Sequence, residues 1–417
     1  MFTNRVTARD VDRPFMPALT ALCVGVAGMV AVGSASGAET FAEAIEESEF
    51  LFNLRLRYEG VDQVGFVEEA DPLTTRLRAG VQTGKWGGTS LLAEAVGVTA
   101  VSGDYNSTVN GDTQYPVVAD PDDVITLNRF AITNTSLEKT TLTFGRQRII
   151  HDDARFVGNV GWRQFEQTFD GVRAVINASD SVKVDLSYSS QVNRIFGPDS
   201  PVGKFNGDIM LANISKSFDF GTLTGFLYGV ELDEAAGLST NTVGATLSGA
   251  KAFDSITGIY TLGFARQTDA GNNPTDLSDS WFKVEGGLRF GKATVAAGLE
   301  QLGGNGVSAV TMPLATLHAF QGWADKFLGT PAAGIDDTYA RFAWQAGAAG
   351  PFTGITFVAF YHQFDSDFGS TSYGDELDFS LVARTQSAVF TLKYAAYDAD
   401  QAFTDTDKIW LSMDYSF

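Results

Sequence analysis

Beyond residue 48, apolar and polar side chains alternate with a period of two along much of the chain. At the C-terminus Ile409, Leu411, Met413, Tyr415 and Phe417 fall on one face, and Lys408, Ser412, Asp414 and Ser416 on the other. Trp410 is the single misfit. The same alternation sets Val182, Val184 and Leu186 against Lys183, Asp185 and Ser187, and Phe282, Val284, Leu288 and Phe290 against Lys283, Glu285 and Arg289. Near the start, Leu54 and Leu56 oppose Asn53, Arg55, Arg57 and Glu59, while Leu77 and Val81 oppose Arg76, Arg78 and Gln82. A period of two is the signature of β-strands with two unlike faces. Charges in mid-strand need a wet environment, which a sandwich core does not offer and a barrel lumen does.

Segments of this kind fall at residues 49-58, 74-82, 89-99, 124-133, 140-149, 170-177, 182-192, 208-217 and 221-232, then at 240-252, 256-267, 280-290, 293-302, 338-347, 355-364, 376-384, 388-397 and 407-417. They number eighteen, an even count, as bacterial barrels require. Their connections alternate in length. Residues 84–88, 218–220, 253–255 and 291–292 make tight turns, whereas 100–123, 150–169, 193–207, 268–279, 303–337 and 365–375 are long and polar. The expected fold is therefore all-β: a transmembrane antiparallel β-barrel of eighteen strands, with long extracellular loops and short periplasmic turns.

The N-terminal residues read differently. Arg5, Arg9 and Arg13 precede an apolar run from Ala18 to Val32 and the small residues Ser36, Gly37 and Ala38, the layout of a secretory signal peptide over residues 1–38. Residues 39–48 form an acidic periplasmic lead-in, disordered or making one helical turn, and 49–417 form one barrel domain. The one cysteine, Cys23, leaves with the signal, so no disulfide framework or four-cysteine zinc site is available.

Charge narrows the function. The chain has 50 Asp and Glu against 29 Lys and Arg; subtracting the signal's two Asp and three Arg leaves 48 against 26, a net charge of −22. Such a surface repels nucleic acid. His151, His318 and His362 lie far apart in sequence and read as ordinary loop or strand residues. With no GxSxG elbow or metal-ligand spacing, the sequence points to a non-enzymatic protein without a metal centre.

Several segments resemble the alginate-export family of outer-membrane barrels. They are residues 54–59 (LRLRYE), 115–121 (YPVVADP), 144–148 (FGRQR) running on to 155–164 (RFVGNVGWRQ), 311–318 (TMPLATLH), 322–328 (GWADKFL) and 393–400 (KYAAYDAD). The resemblance implies an outer-membrane channel in a Gram-negative bacterium, passing an anionic solute, an acidic polysaccharide or its oligomers. It also implies a monomer, and makes the segment with Arg146, Arg148, Arg155 and Arg163 a candidate constriction.

Parity supplies the basic lumen independently: Arg55, Arg57, Arg76, Arg78, Arg173, Lys183, Lys283, Arg289, Arg341, Arg384 and Lys393 share faces with polar neighbours. Guanidinium groups bind carboxylates through paired hydrogen bonds and keep their charge, so a ladder of them relays anions. The competing expectation is that these cations pair with Glu59, Glu94, Asp185, Glu285, Asp378 and Asp414 and stiffen the wall. Arg146 and Arg148 share parity with Leu142 and Phe144, which turns them toward lipid unless a bulge or loop start redirects them. The aromatic-rich segment 303–337, with His318, Phe320, Trp323 and Phe327, either enters the pore or caps it. Acidic runs at 120–123 and 398–407 are candidate Ca²⁺ and lipopolysaccharide contacts or solvated loops. Tyr415 and the terminal Phe417 resemble the signal read by the barrel assembly machinery. A general diffusion porin and a plugged structural or adhesive barrel are the alternative functions.

Overall fold

A computed structural model of the chain describes residues 37–417; the expected signal peptide, apart from its last two residues, lies outside them. Eighteen antiparallel strands close into one barrel, each paired to its neighbour in sequence and the last to the first. The first nine are β1 (Glu49–Gln63), β2 (Leu73–Gln82), β3 (Thr89–Ala100), β4 (Asp123–Asn134), β5 (Thr140–Gln147), β6 (Thr168–Ser179), β7 (Val182–Asn193), β8 (Lys204–Phe218) and β9 (Gly221–Leu232). The second nine are β10 (Thr240–Phe253), β11 (Ile256–Asp269), β12 (Ser278–Phe290), β13 (Ala293–Leu302), β14 (Ile335–Ala349), β15 (Phe352–Asp365), β16 (Ser372–Arg384), β17 (Ala388–Ala399) and β18 (Thr406–Ser416).

Closure leaves no sheet edge, so every strand's backbone finds partners without water, the condition for crossing a bilayer. Long connections follow the odd strands and short turns the even ones. Several strands run further than the alternation indicates, because pairing continues into polar sequence at the long-loop end: β1 reaches Gln63 and β8 begins at Lys204.

The outer face is apolar, with Ile125, Phe130, Phe144, Val243 and Phe264 more than half exposed. Aromatic residues crowd the short-turn end. Phe52 stacks on Phe417 at 4.7 Å and Phe218 on Phe220 at 5.1 Å, and Phe253, Phe290 and Phe352 border the turns there. This is the pattern of a lipid-facing belt with an interfacial aromatic girdle. The acidic lead-in forms α1 (Phe41–Glu46), started by a Thr40–Glu43 capping box. It docks on the β2–β3 turn through Phe41 against Trp86 and the Gly84 N–H to the Ala44 carbonyl.

The lumen is not simply water-filled. Two connections, residues 148–167 and 303–334, fold inward and meet through a Val157–Leu314 bridge. Their Val157, Met312, Leu314 and Phe327 share one buried cluster with the inward-facing Phe226, Trp281, Phe364 and Trp410. The barrel thus acquires a plug that shares an apolar core with its inner wall.

Candidate functional site

Strand register builds an arginine wall. Arg55 of β1 stands opposite Arg76 of β2, with Arg57 opposite Thr74 and Arg78 opposite Asn53, so four guanidiniums share one inner patch. Like charges directly across a pair repel. Asp414 relieves part of this, 2.7 Å from Arg55 and 3.3 Å from Arg76. Among the described residues Arg57 has no ion-pair partner; it donates to the Trp162 carbonyl at 2.6 Å and lies 4.0 Å over that indole. Arg57, Arg76 and Arg78 are each at least nine-tenths buried, yet five of their nitrogens have no acceptor among the described residues.

On the next strands a bulge opposite Glu94 leaves Asn128 as an extra residue, bringing both Asn128 and Arg129 to that carboxylate. Glu166 from the first inner loop is the other anionic centre. It accepts from both ends of the Arg148 fork at 2.6 Å, from Asn128 at 2.6 Å and from Asn159 at 2.9 Å, with Arg78 at 3.6 Å. Burial alone pushes the Glu166 carboxyl up, but the Arg78 charge and the Arg148 hydrogen bonds together bring it down to about 2.

The two inner loops clasp each other and the wall. Arg163 bridges Glu59 and Asp325, each at 3.0 Å, and Arg155 pairs with Glu300 at 2.6 Å with both side chains 2% exposed. His318 stacks on Trp162, centroids 4.9 Å apart and planes at 5°. Its Nδ1 lies 2.7 Å from Asp325 and its Nε2 2.6 Å from the Lys393 ammonium. That ammonium lies over the Trp323 ring at 3.6 Å and the Trp162 ring at 4.6 Å. An ammonium only donates, so Nε2 accepts and the neutral ring carries its proton on Nδ1 toward Asp325. Burial pushes the imidazole down to about 3, against the opposing pull of Asp325. Glu376 holds the second loop by accepting the N–H groups of Trp323 and Ala324.

Beneath the plug lies a cavity of about 540 Å³. Hydroxyls of Thr222, Thr224, Thr246, Ser248 and Thr261 line one side, and Phe320, Tyr339 and Phe360 another. Its charges are largely matched: Arg341 forks onto Glu285 at 3.0 and 2.7 Å, and Lys283 lies 3.7 Å from Asp153.

Of the residues expected in the lumen, Arg55, Arg57, Arg76, Arg78, Glu94, Arg148, Arg163 and Lys393 meet around the two inner loops. Arg173 adjoins them, forked onto Asp185 and donating to the Arg148 carbonyl. Lys283 and Arg341 line the cavity, while Arg289 is exposed beside the 291–292 turn, away from both groups. Arg146 requires correction. It stands in register with the exposed Phe130 and forks onto Asp170, so it faces outward as its parity dictates. Arg148 turns inward because β5 ends at Gln147 and strand alternation no longer governs it. The sequence reading passed over Arg129 and Glu166, and gave no site role to Trp162 and Asp325, which it noted only within the resembling segments 155–164 and 322–328. His318 and His362, read as ordinary, are buried against Asp325 and Asp337. Asp120, expected in an acidic Ca²⁺ or solvated run, is fully buried and accepts the Gln164 N–H at 2.8 Å. Among the described residues no group of three or more His, Asp or Glu is placed to hold a metal ion.

No family model and no curated protein matches the sequence. Solved structures do match in fold. Pseudomonas aeruginosa OccK9 (OpdG) aligns with a TM-score of 0.72 at 16% identity, covering 90% of this chain and 99% of that one. P. aeruginosa OpdK, solved with vanillate, aligns at 0.70 and 16% identity over 89% of this chain and 99% of its own. Acinetobacter baumannii OccAB4 aligns at 0.68 and 12%, covering 89% and 98%. The shared fold is the eighteen-stranded outer-membrane barrel; these neighbours are Occ and Opd proteins rather than alginate exporters.

Proposed function

We propose that the chain is an outer-membrane channel for small anionic solutes, running past an arginine wall and narrowed by the 148–167 and 303–334 loops. One observation carries the reading. Among the described residues, five guanidiniums, those of Arg55, Arg76, Arg78, Arg129 and Arg148, form ion pairs with three carboxylates, Glu94, Glu166 and Asp414, and a sixth, Arg57, stands beside them with no ion pair. A wall meant only for stiffness would match its charges, whereas this one keeps a local positive excess inside an acidic protein. Local field governs a narrow pore, because carboxylates on distant loops are screened beyond about 8 Å.

The solute is a single-ring acid, a uronate or an aromatic carboxylate. The cavity of about 540 Å³ beneath a packed plug suits one ring better than a polymer, and its hydroxyl and aromatic sides suit a ring's edges and faces. OpdK, solved with the aromatic carboxylate vanillate, lends support by fold likeness. Export of an acidic polysaccharide, implied by the resemblance noted in the sequence, would require both inner loops to leave together. The protein acts as a non-enzymatic monomer, inserted by the barrel assembly machinery through its Tyr415 and Phe417 end and surrounded by lipopolysaccharide. The packed plug favours one second reading, a structural barrel that conducts little.

The test is the reversal potential of the mature protein in a planar bilayer under a salt gradient. Anion selectivity, reduced by Arg55→Gln with Arg57→Gln, is expected. Cation selectivity overturns the proposal, and silence under all conditions moves the balance to the structural barrel.

A further inference from the structure

The donors best placed to meet a solute carboxylate are already engaged by the protein's own backbone. Arg55 Nη1 donates to three consecutive carbonyls, Gly161 at 3.2 Å, Trp162 at 2.9 Å and Arg163 at 3.2 Å, and Arg57 Nη1 takes the Trp162 carbonyl as well. We infer that the 161–163 carbonyls occupy the position of a solute's carboxylate, so that the 158–166 arm is an autoinhibitory contact released by the solute that the channel passes. The inference rests on the anion-channel reading and adds the coupling of opening to occupancy.

Three features of the closed arm support the exchange. A carbonyl is a neutral acceptor, while a carboxylate offers two charged oxygens to a guanidinium fork and forms hydrogen bonds about twice as strong. Beneath the arm, Arg57, Arg76 and Arg78 hold five nitrogens without an acceptor among the described residues, and Arg55 faces Arg76 across the strand pair. A carboxylate entering there supplies both the acceptors and the negative charge that the carbonyls lack.

The arm is also built to have a second position. It has no strand ladder; among the described residues its backbone–backbone bonds are the Arg163 N–H to Val160, the Gln167 N–H to Asn159 and the Gly158 N–H to Leu314, and side chains accept two further amides, Val160 on Thr316 and Gln164 on Asp120. Val160 sits at φ 49°, a left-handed conformation that costs a β-branched residue steric strain. Side chains hold that strain in place: Trp162 between Arg57 and His318, Arg163 on Glu59 and Asp325, and Glu166 on Arg148. Loss of the Arg55 and Arg57 bonds removes four of the hydrogen bonds that seat this strained segment and shifts its balance toward release against the remaining clasps.

Hydrogen exchange of the complete mature protein in lipid nanodiscs, with sodium glucuronate against sodium chloride at equal ionic strength, reads the coupling. Glucuronate is expected to speed exchange at the Arg163, Gln164 and Gln167 amides by roughly five-fold or more, with strand amides unchanged. Val160→Gly, which removes the strain of the seated arm, is expected to weaken that response; Trp162→Leu, which removes the clasp, is expected to give fast exchange without glucuronate. Unchanged exchange in a channel that remains anion-selective overturns the autoinhibitory contact alone. Cation selectivity in the same preparation overturns the channel proposal and this inference with it. A response that is the same in Val160→Gly and in the parent protein also counts against the arm as the moving part.

Discussion

Mild acid is expected to loosen the plug through His318. The ring is buried between Trp162 and Trp410, with Asp325 on Nδ1 and Lys393 on Nε2, and Arg163 and Lys408 reach the same Asp325. A proton added at Nε2 would face the ammonium that now donates there, so the seated loop resists protonation and its imidazole is depressed to about 3. A released loop carries an ordinary imidazole near 6.5. The depressed group favours the seated state fully above about 6.5, and the preference falls as pH drops toward 3. From those two values the loss between pH 7 and pH 5 is about 2 kcal/mol, roughly a 25-fold shift toward release. Glu166, held at about 2, adds its own loss only below about pH 4.5, so the interval from pH 7 to pH 5 reports the imidazole rather than Glu166. Exchange protection of the Trp323 and Ala324 amides, corrected for intrinsic rate, measures the seated fraction, because both donate to Glu376 only while the loop is down. His318→Asn, neutral throughout, isolates the imidazole from the nearby Glu376 and Asp378. Protection that is flat from pH 7 to pH 5, or an equal fall in His318→Asn, would refute the reasoning.

Three further outcomes follow from the same geometry. Glu94→Gln removes the carboxylate forked by Arg129 and approached by Arg148, and the reversal potential is expected to move further toward anions; movement toward cations would count against the wall as the selective element. Arg155→Met leaves the buried Glu300 with Trp281 and Gln321 as its donors among the described residues, and is expected to cost about 3–5 kcal/mol of loop seating, read as faster exchange near Val157 without loss of barrel signal. Gly145→Ala places a methyl group 2.3 Å from the Phe130 carbonyl oxygen at a φ of 113°, and damage to the short β4–β5 pairing is expected to cost roughly 2–4 kcal/mol of unfolding free energy, read as a lower urea midpoint.

The barrel wall was readable in the sequence because alternation is local: each residue's face follows from its neighbour's, and closure fixes only which face is inside. Arg55, Arg57, Arg76 and Arg78 could be assigned that way, and Arg146 pointed outward by the same rule, against the resemblance that drew it into the lumen. The rule stops where pairing stops. Arg148 lies one residue past β5, and Arg129 sits at a bulge that brings Asn128 to the same Glu94, so neither could be oriented by counting. The plug has no period at all. Its contacts join residues more than a hundred positions apart, such as Arg163 with Glu59 and Arg155 with Glu300, and no local pattern encodes them. One local trace of it did exist. Trp410 broke the polar face of β18, and a fully buried indole on a face otherwise given to Lys408, Ser412 and Asp414 needs an apolar partner that no wall strand supplies. Trp162 and His318 are that partner, so the misfit in the alternation marked the place where the lumen is filled from within.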